Sequence, residues 1–206
     1  MARNNDAAGK KIQILQALDH CLQEKSFDRT SIKDIARAAG VNHGLLHYYF
    51  KSKEDILINY IDYVMDLYKS MLDEWLKSNS IPGMDPKLRI EAFFEFMSER
   101  VTLNKTLSAV FIEIWEIALY NPNVRTKLQR TYGEWIGFLT NMLIPIAGDP
   151  ALTRQIATAA IAFLEGMALF SILLDTDARD FHETLRGFGK NIISVAEKPY
   201  PCRDAL

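Results

Sequence analysis

The feature that most limits how this chain can fold is the run S-I-K-D-I-A-R-A-A-G-V-N-H-G-L-L-H-Y-Y-F-K-S-K, from Ser31 to Lys53. Ser31 can cap a helix through its hydroxyl, and Asp34 three residues on completes a capping-box pattern. Ile32, Ile35, Ala36 and Ala39 fall at helical spacing and give that helix one apolar face. Gly40 stands where the chain must turn sharply, at a position that favours φ > 0. Asn42 is a good cap for the next helix, and Leu46 and Phe50, four apart, face inward. Asn42, His43, Gly44, His47 and Tyr48 are left outward, a polar, aromatic, acid-free surface on a helix short enough to enter a DNA major groove. Two short helices joined by a tight turn, with a third helix starting near Lys53, make a helix-turn-helix. An ordinary helical hairpin inside a core is the plainer alternative.

The rest of the chain speaks one structural language. Lys10 to Glu24 carries Ile12, Ile14, Leu15, Leu18 and Leu22 at helical spacing and is predicted to pack across the two short helices. Residues 1–9 read as an arm, better taken as a solvated tail than as one whose Arg3, with Lys10 and Lys11, touches DNA. Lys53 to about Lys77 is one amphipathic helix, ended by the turn-forming S-N-S-I-P-G-M-D-P. Asp85-Pro86, Asn121-Pro122 and Asp149-Pro150 each place a capping side chain before a proline at the first helical position. These junctions predict helices at about 86–103, 106–119, 122–144, 150–174 and 178–196. No alternating strand pattern of useful length occurs, so the expected class is all-α with about nine helices.

Charge is distributed unevenly. The net charge of −2 does not itself suggest nucleic acid. Arg29 to Lys53, however, holds five basic residues (Arg29, Lys33, Arg37, Lys51, Lys53) and one acid, Asp34, for a balance of +4. Ile56 to the end holds 15 basic and 19 acidic residues, a balance of −4. A basic head on an acidic body is the footprint of a local phosphate-binding surface. The composition, 49% apolar and 24% charged, is that of a soluble globular protein. Cys21 and Cys202 form no metal or redox motif, and Cys202 reads as a tail thiol. The polar stretch Met1 to Lys11 has no apolar core of a signal peptide, which makes a cytoplasmic location the expectation. From Ile156 to Leu174 the only charge is Glu165, a length near that of a membrane span, but a helix buried on both sides accounts better for its alanines and its mid-helix acid.

The run G-V-N-H-G-L-L-H-Y-Y-F-K-S-K-E-D-I-L, preceded by S-I-K-D-I-A-R-A-A-G, closely resembles the DNA-binding signature of the tetracycline-repressor (TetR) family of transcriptional regulators, over residues 10 to 60. The resemblance implies a three-helix DNA-binding domain at 1–52 and a helical ligand-binding and dimerisation domain at 53–206. It also implies that Asn42, His43, Gly44, Leu45, His47 and Tyr48 meet DNA. The phenols of Tyr48 and Tyr49 are suited to phosphate, and Ser31, Lys33 and Lys53 would position the head on phosphates. The chain departs from the family at two places: relatives commonly carry tyrosine where His47 stands, and threonine or serine where Leu45 stands.

In relatives the last two long helices form the subunit interface, and F-L-E-G-M-A-L-F resembles that segment. Ile161, Glu165, Gly166 and Phe170 are therefore expected at a homodimer interface whose two-fold symmetry reads a near-palindromic operator. Aromatic and methionine residues of the body enclose a small organic effector in relatives. Here the candidates are Phe93, Met97, Phe111, Trp115, Tyr132, Trp135, Phe138, Phe163 and Met167, with the core-filling role open for each. Glu113, Glu116 and Glu165 lie on largely apolar helices and must be exposed, paired or facing a ligand. Arg100 is a further candidate partner for them or for an acidic ligand. His20 and His182 read as isolated surface residues.

His43 and His47 sit four apart but lack a third ligand or the H-E-x-x-H form, so no metal and no cofactor is expected. No nucleophile elbow, phosphate-cradling glycine loop or Cys/His pair suggests an enzyme. The reading is a ligand-responsive repressor released from its operator by a small organic molecule. The alternatives are an activator of the same fold, or a helical ligand-binding dimer that no longer reads DNA.

Overall fold

The computed structural model describes residues 2–79, 84–174 and 177–197, the side chains of 2–6 and 79 excepted. The Arg3 side chain, most of the turn after Asn79, and Cys202 lie outside the described residues. Nine α-helices occur among the described residues, with no strand: α1 (Ala2–Glu24), α2 (Ile32–Ala38), α3 (His43–Tyr49), α4 (Lys53–Asn79), α5 (Pro86–Phe96), α6 (Lys105–Tyr120), α7 (Pro122–Ala147), α8 (Pro150–Leu173) and α9 (Ala178–Ala196). The all-α expectation holds.

Two boundaries differ from the sequence reading. Helix α1 begins at Ala2, where an arm was expected through residue 9. Nothing in that stretch stops a helix propagating back from Lys10, because Gly9 costs only about 1 kcal/mol and no proline intervenes. The helix expected at 86–103 is α5 followed by a turn of π-helix at Met97–Thr102. Such turns insert one residue into the ladder and leave no periodic signature in the sequence.

The chain divides into two compact units, Met1–Lys69 with Val110–Thr131, and Ser70–Ala109 with Tyr132–Leu206. In the first, Ile14, Leu18, Ile35, Leu46, Phe50, Ile56, Leu57, Tyr60 and Ile61 make a core from which solvent is almost wholly excluded. The hydroxyl of buried Tyr60 donates to Asp19 at 2.5 Å, tying α4 to α1. Burial, and then that bond, push the phenol far above its usual range, so it stays a donor at any working pH.

In the second unit the core is aromatic. Phe93 and Phe94 meet edge to face at 5.4 Å, Phe93 lies 6.2 Å from Phe138, and Phe138 lies 6.0 Å from Trp135. Phe94 reaches Phe188 at 5.9 Å, and Phe188 stacks on Phe163 at 3.7 Å. A Cβ on Gly189 would come within 3.0 Å of the Phe94 ring, so this glycine lets α9 close on α5. The buried hydroxyl of Ser98, in the π turn, lies 2.6 Å from His182 Nδ1. His182 is thus half-buried and partnered, not the isolated surface residue expected. The pairing joins positions 84 apart, a distance that local pattern does not register.

Candidate nucleic-acid interface

The geometry of α2 and α3 follows from short-range chemistry. Ser31 Oγ accepts the Asp34 amide at 3.1 Å, while the Asp34 carboxylate accepts the Ser31 amide at 2.9 Å. The reciprocal pair satisfies two donors that the first turn of a helix leaves open. Asp34 also holds Lys25 at 2.8 Å. Its carboxyl is kept well below the usual range, first by the Lys25 bond and then by the Ser31 amide. The one acid of the basic head is therefore already committed.

Gly40 adopts φ +60°, and Val41 N–H returns to Ala36 O at 3.0 Å, closing the turn. Asn42 Oδ1 then caps α3 by accepting the Leu45 amide at 2.7 Å. Within α3 only Leu46 is buried, at 0% exposure, and Phe50 at its end is 1% exposed. Asn42, His43, Gly44, His47 and Tyr48 are exposed, while Leu45 and Tyr49 are half-buried. His43 and His47 rings meet edge to face at 4.5 Å, and Tyr48 meets Tyr49 at 5.1 Å. No cluster of three His, Cys, Asp or Glu side chains fit to hold a metal occurs among the described residues.

Ser31 and Lys33 are exposed at the start of α2. Lys53 is not a free cation: its ammonium donates to Phe27 O at 2.8 Å and lies 4.1 Å from the centre of the Phe27 ring. Two of its three donors remain for another acceptor.

Among the candidate effector residues, Phe111 and Trp115 belong to the first unit, and Phe93, Met97, Tyr132, Trp135, Phe138, Phe163 and Met167 to the second. Glu165 on α8 is half-buried and accepts a hydrogen bond from Tyr132. Burial lifts its carboxyl to about 7, with the Tyr132 bond pulling the other way.

Helix α8 is long and apolar enough to cross a membrane by length and composition, yet Ile156, Ala160, Ile161, Leu164 and Met167 are buried within its unit. Its outward stripe, Gln155, Thr158, Ala159, Ala162 and Phe170, is uncharged beyond Arg154 in the first turns of the helix. Gly166 has open space where a side chain would stand.

Comparison with known proteins agrees with this architecture. The profile of bacterial regulatory proteins of the tetR family matches residues 14–60. That of the BetI-type transcriptional repressor C-terminal domain matches residues 86–188. The chain belongs to the TetR family. Members of this family are DNA-binding transcriptional regulators with a helix-turn-helix, and not enzymes. An HTH-type transcriptional regulator BetI from Proteus mirabilis strain HI4320 is 27% identical over 124 residues, 59% of each chain, so the match spans well under two thirds of that relative. A solved transcriptional regulator from Pseudomonas aeruginosa PAO1 shares the fold with a TM-score of 0.75 at 20% identity, over 91% of both chains. Another, from Saccharomonospora viridis and solved in complex with choline, has a TM-score of 0.72 at 18% identity, covering 89% of this chain and 96% of its own.

Proposed function

We propose that this TetR-family chain is a homodimeric repressor that leaves its operator when a small organic cation enters its helical body. The observation that carries the DNA-binding half is α3, capped at Asn42, anchored by Leu46 and otherwise outward with His43, Gly44, His47 and Tyr48. In this reading residues 1–52 form the DNA reader and 53–206 the effector and dimerisation part, in a cytoplasmic protein. Asn42, His43, Gly44, Leu45 and His47 meet base edges, and the Tyr48 phenol meets phosphate. Tyr49, Ser31, Lys33 and Lys53 meet phosphates.

The largely uncharged outer stripe of α8, with Phe170 on it and Gly166 beside it, supports a two-fold interface and hence a near-palindromic operator. Ile161, buried in its own unit, and Glu165, bonded to Tyr132, lie off that stripe. A cationic effector is favoured by Glu165, an acid desolvated by burial and held by Tyr132, on a unit rich in aromatic side chains that suit cation–π contact. Choline, held by the Saccharomonospora viridis neighbour, is the first compound to try.

The test is fluorescence anisotropy with DNA from upstream of the protein's own gene, across a salt series and against scrambled competitor. Competitor-resistant binding of two protomers per site, with a steep salt slope, is the expected result. Equal, weak binding to both duplexes would remove the reading. Within it, His47→Ala is expected to lose about 1–3 kcal/mol on the operator while barely changing binding to scrambled DNA. Equal losses on the two would deny His47 a base-reading role.

A further inference from the structure

Phe27 lies in the turn between α1 and α2, and both faces of its peptide are gripped. Its amide donates to a Glu113 carboxylate oxygen from α6. Its carbonyl accepts the Lys53 ammonium at 2.8 Å and the Thr30 amide at 3.0 Å, and its ring lies under the same ammonium. Thr30, 1% exposed, immediately precedes Ser31, the cap from which α2 starts. Glu113 is thus two contacts from the entry to the helix-turn-helix and two from the head of α4.

Other bonds join the same segment to α4. Glu54 accepts Asn121 at 2.9 Å and Asn123 at 2.8 Å, and Lys127 pairs with Asp62. Glu113, from the same segment, reaches the α1–α2 turn instead. Its carboxyl is raised chiefly by burial, and the Phe27 amide acts against that. A desolvated acceptor aimed at one buried amide is a holding group.

We propose that Glu113 is a positioning residue for DNA binding, acting through the Phe27 peptide on the start of α2 and on Lys53. The proposal rests on the DNA-binding reading above. The acceptor is the essential part. Glu113→Gln keeps an oxygen within reach of the Phe27 amide and discards the charge. Glu113→Asp keeps the charge and withdraws the oxygen by one methylene. Glu113→Ala removes both. Glu116→Ala, an exposed acid less than one turn further along α6, removes a like charge without touching Phe27.

The experiment measures affinity of the full-length chain and these variants for a duplex selected by the wild type from a random pool, and for its scrambled form. Thermal unfolding sets the folded fraction. Glu113→Asp and Glu113→Ala are expected to bind the selected duplex about tenfold more weakly. Glu113→Gln should stay within about threefold of wild type, and Glu116→Ala should match it. Binding to scrambled DNA should change little in any of them. Should Glu113→Ala not fold, the Asp and Gln variants decide alone. Equal affinities for wild type and Asp, or equal losses for Asp and Gln, would overturn the proposal. Failure of the wild type to select any duplex would overturn the DNA-binding reading as well, and needs no variant to be seen.

Discussion

Replacing Leu46 with alanine is expected to destabilise the DNA-binding unit by about 2–5 kcal/mol and to abolish operator binding. Leu46 has 0% exposure and is the only buried side chain within the seven residues of α3. A helix that short has no stability of its own, since isolated helices below ~12–15 residues are marginal in water. What holds α3 is the Asn42 cap at one end, Phe50 at the other, and Leu46 between. Truncation removes the middle anchor and leaves a cavity that the surrounding core fills only in part. Urea unfolding at fixed protein concentration should register a lower midpoint, and anisotropy should register the lost operator binding. Leu119→Ala is the control, because Leu119 is 65% exposed and should stay within about 0.5 kcal/mol of wild type. An unchanged midpoint with intact DNA binding would mean that α3 is held by something other than Leu46.

The same helix explains what was legible beforehand. The Ser31–Asp34 capping box, the positive φ of Gly40, the Asn42 cap and the inward pair Leu46 and Phe50 are all written within a few residues of one another. Short-range grammar of that kind survives in sequence because each device needs only its neighbours. The three Asp/Asn-Pro junctions behaved likewise, with Asp85, Asn121 and Asp149 each accepting amides of the following turn. Illegible were contacts made by single polar side chains across long separations. Glu113 meets Phe27 over 86 residues, and Asn121 meets Glu54 over 67. No periodicity marks such partners, and Glu113 in sequence is merely an acid on an apolar helix. That Val110–Thr131 packs with the first 69 residues has the same origin. The π turn at Met97–Thr102 was hidden for another reason: it changes the register of a helix without changing its residue types.

Replacing Glu165 with glutamine is expected to make the protein less sensitive to alkaline pH and more stable at pH 8. The carboxyl titrates at about 7 in the folded chain against 4.5 for an ordinary glutamate, chiefly because of burial. The sign follows from linkage. A folded-state pKa above the unfolded one gives stability that is fully present below about pH 4.5 and is lost as pH rises through about 7. The difference is worth roughly 3 kcal/mol across that window. Glutamine keeps an acceptor for Tyr132 and has nothing to ionise, so the wild-type curve should drop below that of Glu165→Gln between pH 5 and pH 8, by about that amount. Urea unfolding at stepped pH measures it, with the variant cancelling every other titrating group. The proposed effector enters the same balance. A cation beside Glu165 favours the ionised form, so choline should raise the wild-type unfolding temperature at pH 8 more than at pH 6 and leave Glu165→Gln unmoved. A pH-independent gap between wild type and variant would mean that the carboxylate is solvated, and the argument for a cationic effector would go with it. A pH-dependent gap without any choline response would keep the buried acid and point to another cation.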